Sequence, residues 1–149
     1  MTSKRPKRKD RPGVDRYGRT PLHNAIIDGQ TAAALALIQA GSNLDAQDDD
    51  GWTPLHFAVR AGSAELVGAL LAAGAGPDLA DAHGNTPLST AAFRSRGRGE
   101  LIALLRAHGA DPWYVNHHGV SPISLARTIA NFDVRQFFAD LPADREADA

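Results

Sequence analysis

Apolar side chains in the middle of the chain recur every three or four residues in two short runs, which is the spacing of amphipathic helices. The first run begins at Thr53 and Pro54, which suit the cap and first turn of a helix, and it ends at Gly62. The second run, 64–73, carries four large aliphatic residues on one stripe and stops at Gly74. The pattern therefore predicts a hairpin of two helices, followed by a loop rich in Gly, Pro and Asp.

The helix start recurs along the chain as a four-residue frame. Thr-Pro-Leu-His begins at Thr20 and Thr53, and related versions begin at Thr86 and Ser121. The starts are 33, 33 and 35 residues apart, and a 33-residue period built on this frame is typical of ankyrin repeats. The chain thus resembles the ankyrin-repeat family over residues 15–141. The resemblance implies an all-α ankyrin-repeat solenoid, in which four stacked helix-turn-helix repeats with β-turn or hairpin loops cover about residues 15–47, 48–80, 81–115 and 116–141.

The third and fourth repeats depart from this pattern. The loop from Arg94 to Gly99 is two residues longer than the matching turn of the second repeat, and we expect it to be mobile. In the fourth repeat Arg127 stands where the other three have an apolar residue, and Asn131 takes the place of the helix-ending glycine. A second helix is still predicted over 133–141. Since a terminal repeat must show one side to water, we interpret the fourth repeat as a C-terminal cap.

Basic residues are concentrated at one end of the chain. The formal net charge is −1, yet residues 1–13 hold six basic residues and a single Asp. We expect residues 1–14 to be a disordered basic tail and residues 142–149 to be a short acidic tail. The basic tail is interpreted as a solvated leader, with a nuclear-import address and a weak phosphate-binding arm as the alternatives.

Composition also limits the location and the chemistry of the protein. The 149 residues contain no apolar run of membrane-spanning length and no signal-peptide pattern, which predicts a soluble cytoplasmic protein with no membrane partner. Because there is no Cys, a disulfide framework, a thiolate nucleophile and a zinc site using Cys are excluded. We expect the protein to be monomeric on its own.

Histidines are the remaining candidates for catalysis or metal binding. The resemblance implies that His23 and His56, which close the Thr-Pro-Leu-His frame, bond the helix-start Thr and the neighbouring turn. A metal site made only of His83, His117 and His118 is an alternative, although no carboxylate lies at a helical spacing from them. No nucleophile-elbow, metalloprotease, P-loop or dinucleotide motif occurs. We therefore predict neither enzymatic activity nor a cofactor.

Stacking of four helical hairpins creates a concave face on the order of 30 to 40 Å long, which suits a protein partner. The resemblance implies that turn tips and the exposed sides of the first helices form this face. The expected binding residues are Arg16, Tyr17, Arg19, Asp28, Asp49, Asp50, Trp52, Arg60, His83, Asn85, Phe93, Arg94, Arg96, His117 and His118. They are flanked by Ile27, Ala61, Ala82, Val120, Thr128 and Ile129.

Tyr, Trp and Arg, which dominate binding energy at protein interfaces, are well represented in this set. We expect Leu55 to lie in the core and Trp52 to lie on an exposed turn tip, where its loss would cost little stability. The alternative is that Trp52 and Phe93 only pack on neighbouring turns while the charged residues solvate the face.

A closer resemblance suggests a role. The segments DDDGWTPLHFA, SRGRG, HGVSP and IANFDV are similar to those of small stand-alone bacterial ankyrin proteins, some of which are immunity proteins that block a toxin. We therefore predict a non-enzymatic protein-binding module, most concretely a toxin inhibitor. A general ankyrin scaffold or regulatory protein is the alternative. A nucleic-acid-associated protein that uses the basic tail with Arg94, Arg96 and Arg98 is a further one.

Overall fold

The computed structural model describes residues 11–129 and 133–142. This part of the chain forms seven α-helices and one short 3₁₀ helix, and it contains no β-strand. In chain order the helices are α1 Pro21–Ile27, α2 Thr31–Gln39, α3 Pro54–Ala61, α4 Ala64–Ala72, α5 Pro87–Arg94, α6 Glu100–Ala107 and α7 Pro122–Thr128, followed by the 3₁₀ helix Val134–Phe138. Most of the expected basic tail, the expected acidic tail beyond residue 142, and Asn131 lie outside the described residues.

The helices α1, α3, α5 and α7 are the inner helices of the four repeats, and they begin in the same way. In α3 the Thr53 hydroxyl accepts a hydrogen bond from the His56 N–H, and Pro54 occupies the first helical position. The corresponding caps of the other three are Thr20, Thr86 and Ser121, each followed by Pro. Each hydroxyl satisfies a backbone donor that the first turn of a helix leaves unpaired. The predicted helix starts are therefore confirmed.

The inner helices pack side by side in one layer, and the outer helices α2, α4 and α6 form a second layer. The core lies between the layers and includes one equivalent residue from each repeat, at most 2 % exposed: Leu22, Leu55, Leu88 and Ile123. A single apolar position, used four times, thus builds a continuous core. The expected all-α stack of four helical repeats is confirmed.

The turn before each inner helix is held by an acidic or amide side chain, and the first three turns are also bonded to the backbone of the next repeat. The buried Asp48 carboxylate accepts hydrogen bonds from the N–H groups of Asp50 and Trp52, at 3.0 and 2.8 Å. The Ala82 N–H donates to the Asp50 carbonyl at 2.9 Å and joins the second turn to the third. A Cβ at Gly51, where φ is +79°, would lie 2.8 Å from the Ala82 nitrogen, so this turn requires glycine.

The second helix of the fourth repeat, predicted over 133–141, is shorter than expected and is not an α-helix. That segment contains a 3₁₀ helix of five residues, Val134–Phe138. Its first and last side chains are buried, so the segment still covers the end of the core. Arg127 on α7 is exposed, as a terminal repeat requires.

Arg106 on α6 supplies the physical reason for the shorter element. Its guanidinium donates to the Phe137 carbonyl at 2.8 Å and to both carboxylate oxygens of Asp140, at 2.7 and 2.6 Å. In an α-helix the Leu141 N–H would bond to the Phe137 carbonyl, but here it bonds to the Phe138 carbonyl at 3.0 Å. The last segment is therefore shaped by the third repeat.

Candidate protein-binding face

The turn tips of the first three repeats border a cleft of about 470 Å³, which we call the turn-tip cleft. Its lining residues are Arg19, Asp48, Asp50, Trp52, Phe57, Arg60, Asp81, His83 and Asn85. Six of these nine were expected in the binding face, and the other three are Asp48, Phe57 and Asp81. The structure thus brings together residues that the sequence places up to 66 positions apart.

A second cleft, of about 450 Å³, lies where α3 and α5 end, and we call it the helix-end cleft. It is lined by Val59, Arg60, Ala61, Gly62, Ala91, Phe93, Arg94, Ser95, Arg96, Arg98, Glu100 and Leu101. A third cleft, of about 420 Å³, is lined by Arg19, Ile26, Ile27, Phe57, Arg60, Ala61 and Arg94, so it shares residues with both others. Because Arg60 lines all three, the clefts together form one groove along the inner helices of repeats one to three.

Aromatic rings and guanidinium groups pack together in the turn-tip cleft. The ring centres of Trp52 and Phe57 are 5.0 Å apart. The guanidinium carbon of Arg19 lies 5.3 Å from the Phe57 ring centre and 4.9 Å from that of Tyr17. That of Arg60 lies 5.7 Å from the Trp52 ring centre. Such contacts restrain long side chains before a partner arrives, which reduces the entropy lost on binding.

The two aromatic residues expected to anchor a partner differ in exposure. Trp52 is half-buried, because its ring packs on Phe57 and lies 5.5 Å from the ring centre of His56. The expectation that Trp52 stands free on the turn tip is therefore corrected, and its loss would also loosen the core. Phe93 is 70 % exposed at the helix-end cleft. The alternative interpretation, in which these aromatic rings only pack on neighbouring residues, therefore fits Trp52 but not Phe93.

Six of the expected binding residues line none of these clefts: Arg16, Tyr17, Asp28, Asp49, His117 and His118. The Asp49 carboxylate lies 2.9 Å from the guanidinium of Arg11, a residue of the expected basic tail. The His117 N–H donates to the His83 carbonyl at 3.0 Å and joins the third turn to the fourth. Asp49 and His117 therefore lie in turns beside the groove and do not line it.

Phe57 and Asp48 are the main groove residues that the sequence analysis missed. Phe57 carries a visible signal, because the equivalent residues of the other repeats, Asn24, Thr90 and Leu125, have smaller side chains without a ring. Asp48 carries none. Its carboxylate lies 3.5 Å from the Arg19 guanidinium, and this contact exists only because two turns 29 residues apart meet in the stack.

His23 and His56 link successive repeats. The Nδ1 atom of each accepts a hydrogen bond from the N–H of its cap threonine, at 3.0 and 3.1 Å. Nε2 must then carry the proton, and it donates to a carbonyl of the next turn: Trp52 at 2.9 Å and Asn85 at 3.0 Å. Burial lowers the pKa of both imidazoles, which keeps the rings neutral at pH 7. These two histidines couple neighbouring repeats.

Among residues 11–129 and 133–142, no three His, Asp or Glu side chains are grouped closely enough to hold a metal ion. No helix within those ranges combines the length and the apolar character needed to cross a membrane.

Comparison with known protein families agrees with this architecture. Residues 35–116, more than half of the 149-residue chain, match the family described as ankyrin repeats (3 copies). Residues 12–56 match the family described as ankyrin repeats (many copies). No match to the chain was found among curated proteins. The matches, the capped helical hairpins and the histidine links between them show that the chain belongs to the ankyrin-repeat family.

Proposed function

We propose that the protein binds another protein in the groove of repeats one to three and acts through that binding alone. Proteins built from ankyrin repeats are in general non-enzymatic binding scaffolds. The observation that carries the proposal is the groove itself, in which three adjoining clefts span three repeats. A partner in it would contact exposed arginines and an exposed aromatic ring, which are the residue types that dominate binding energy.

The packing within the groove supports a defined partner. The rings of Trp52 and Phe57 are in mutual contact, and the guanidinium groups of Arg19 and Arg60 lie over them. A surface arranged in this way before binding loses little conformational freedom when the complex forms. The groove therefore suits specific recognition.

The most concrete form of the proposal is a cytoplasmic inhibitor that neutralises a bacterial toxin. It rests on the similarity of DDDGWTPLHFA, SRGRG and two further segments to those of small bacterial ankyrin proteins, some of which are immunity proteins. An inhibitor of this kind needs a surface that covers the active site of its partner, and it needs no catalytic group of its own. A scaffold or regulatory protein would use the same groove on a different partner.

The chain offers a matched pair of variants for the test. Phe93 and Val115 are both large, apolar and exposed, but only Phe93 lines a groove cleft. Phe93→Ser should leave the melting temperature unchanged. If Phe93 is a central anchor, the substitution should weaken binding of the captured partner by about 2 kcal/mol, or roughly thirtyfold. Val115→Ser should change neither property. Partners would be captured from the native cell, identified by mass spectrometry and titrated calorimetrically.

The inhibitor role is tested separately on the identified partner. A toxin should lose activity when the wild-type protein is added and should keep more of that activity with Phe93→Ser than with Val115→Ser. If no captured protein distinguishes the two variants, the proposed use of the groove is wrong. If the partner binds in the groove but has no toxic activity, the inhibitor role is wrong and the scaffold or regulatory role stands.

A further inference from the structure

The helix-end cleft gathers more positive than negative charge among the described residues. Arg60, Arg94, Arg96 and Arg98 all line it, and none of them forms an ion pair with a carboxylate among residues 11–129 and 133–142. Arginines elsewhere do form such pairs, with N–O distances as short as 2.6 Å. Of the described residues that line the cleft with these arginines, Glu100 alone carries a carboxylate.

Four like charges around one cleft repel one another, and the repulsion is only partly screened at the ionic strength of a cell. A carboxylate that enters the cleft relieves this repulsion. It also accepts the paired N–H bonds that a guanidinium offers in the geometry of a carboxylate, so each such contact is a charge-assisted hydrogen bond. The electrostatics of the cleft therefore favour an anionic ligand.

The cleft also has an apolar side. Phe93 is 70 % exposed there, and Val59, Ala91 and Leu101 contribute to the lining. Its volume of about 450 Å³ accommodates several side chains. A ligand that matches it combines negative charge with at least one apolar side chain.

We propose that the helix-end cleft recognises an acidic segment of the partner protein, in which Asp or Glu carboxylates pair with Arg94 and its neighbouring arginines while an apolar side chain covers Phe93. The inference rests on the proposed function, because it names the chemistry of the partner in that groove. It also gives the long loop of the third repeat a role, since this loop supplies Arg96 and Arg98.

The adjoining turn-tip cleft favours a protein segment over a nucleic acid. It is lined by three carboxylates, those of Asp48, Asp50 and Asp81, and by two arginines. A nucleic acid carries one charge per nucleotide along its whole length, so a strand that follows the groove would meet these carboxylates. A polypeptide changes from acidic to neutral or basic within a few residues and matches both clefts.

The test selects ligands without assuming a sequence. A phage library of random 16-residue peptides is panned on the wild-type protein, and selected peptides are titrated against two double variants. Arg94→Gln with Arg98→Gln removes two charges from the cleft, whereas Arg127→Gln with Arg135→Gln removes two exposed charges from the fourth repeat. Arg96 is left unchanged, because its φ of +48° makes the loop sensitive to substitution there.

We expect the selected peptides to be rich in Asp and Glu beside Phe, Trp or Leu. Their affinity should fall by about tenfold or more for the cleft variant, should change less than about twofold for the control, and should weaken with added salt. The inference is overturned if no peptide is enriched, if the enriched peptides carry no acidic excess, or if both variants bind equally. It is also overturned if a single-stranded oligonucleotide binds more tightly than the peptides with the same arginine dependence.

The two proposals fail in different ways. A captured partner that responds to Phe93→Ser but binds the cleft variant as tightly as wild type would leave the groove function standing and end the acidic-segment inference. A partner that responds to neither change would end both.

Discussion

The junction between repeats two and three and the junction between repeats three and four share a backbone pattern but differ in their buried polar contacts. At the first junction the His56 imidazole donates to the Asn85 carbonyl at 3.0 Å. At the second, the His117 N–H bonds to the His83 carbonyl at 3.0 Å, which matches the backbone contact of the other turns. Ser89, however, stands where the histidine would be, and its hydroxyl makes no bond to the fourth turn within the described residues.

The fourth repeat is held at its edges instead. The Asn116 side chain donates to the Asn85 side chain at 2.8 Å, and Arg106 anchors Asp140 and the Phe137 carbonyl. The turns are joined by the same backbone bond at both junctions, whereas the side-chain bonds differ, so we infer that the side chains set how strongly neighbouring repeats are coupled. Because the stability of a repeat stack is a sum of repeat and junction contributions, we expect the fourth repeat to open first.

Core truncations at equivalent positions of the second and fourth repeats should have the largest effects. Leu55→Ala removes a fully buried side chain from the centre of the stack and should cost about 2 to 5 kcal/mol of unfolding free energy. Ile123→Ala makes the same kind of cavity in the fourth repeat. Because that repeat can open on its own, the other three repeats should lose little stability. Hydrogen exchange should show α1 to α6 still protected in Ile123→Ala. Equal loss of protection throughout both variants would contradict the weaker coupling of the fourth repeat.

His56→Ser places at the junction between repeats two and three the same residue that Ser89 supplies at the junction between repeats three and four. The substitution removes the bond to the Asn85 carbonyl, so we expect a loss of about 1 to 3 kcal/mol in urea unfolding. Ser124→Ala serves as the control, because it removes only a hydroxyl group at the same position of the last repeat. Unfolding midpoints that shift equally in the two variants would mean that the histidine link contributes no special coupling.

Arg106→Gln should affect the fourth repeat alone. The Asp140 side chain is exposed, so the ion pair adds little and the loss of the Phe137 contact should account for most of a small decrease in stability. Because the Arg106 hydrogen bond lowers the pKa of Asp140, that pKa should return towards the usual value of an aspartate in the variant. NMR titration of Asp140 and exchange rates over Val134–Phe138 would follow both effects. An unchanged titration of Asp140 would show that the pair is not formed in solution.

Lowering the pH should have the smallest effect on stability, and it tests the hydrogen bonds of His23 and His56. Burial lowers the pKa of His23 and His56 in the folded state below the value of about 6.5 expected in the unfolded chain. As the pH falls below about 6.5 the unfolded chain binds protons first, so stability should decrease until the folded-state pKa is passed. His56→Ser should show a smaller decrease between pH 7.5 and pH 5.5. Stability that increases over this range in the wild-type protein would contradict the account.

The predictable and unpredictable parts of the structure differ in the range of the contacts behind them. The inner helices could be predicted because Thr53, Pro54 and Gly62 act on neighbouring residues. The last segment could not, because its shape depends on Arg106, which lies 31 residues before the carbonyl that it binds. Likewise, the turn-tip positions of the groove follow from the repeat period, but the half-buried state of Trp52 depends on how its ring packs on Phe57.

Hydrogen exchange with and without the captured partner tests the central claim most directly. In the free protein we expect fast exchange over residues 96–99, because three arginines and two glycines of the loop from Arg94 to Gly99 offer little to bury. With the partner bound, exchange should slow in this loop and at the ends of α3 and α5, and it should stay unchanged in α2 and α4. Slowing confined to the outer helices or to the fourth repeat would show that the groove of repeats one to three is not the binding site.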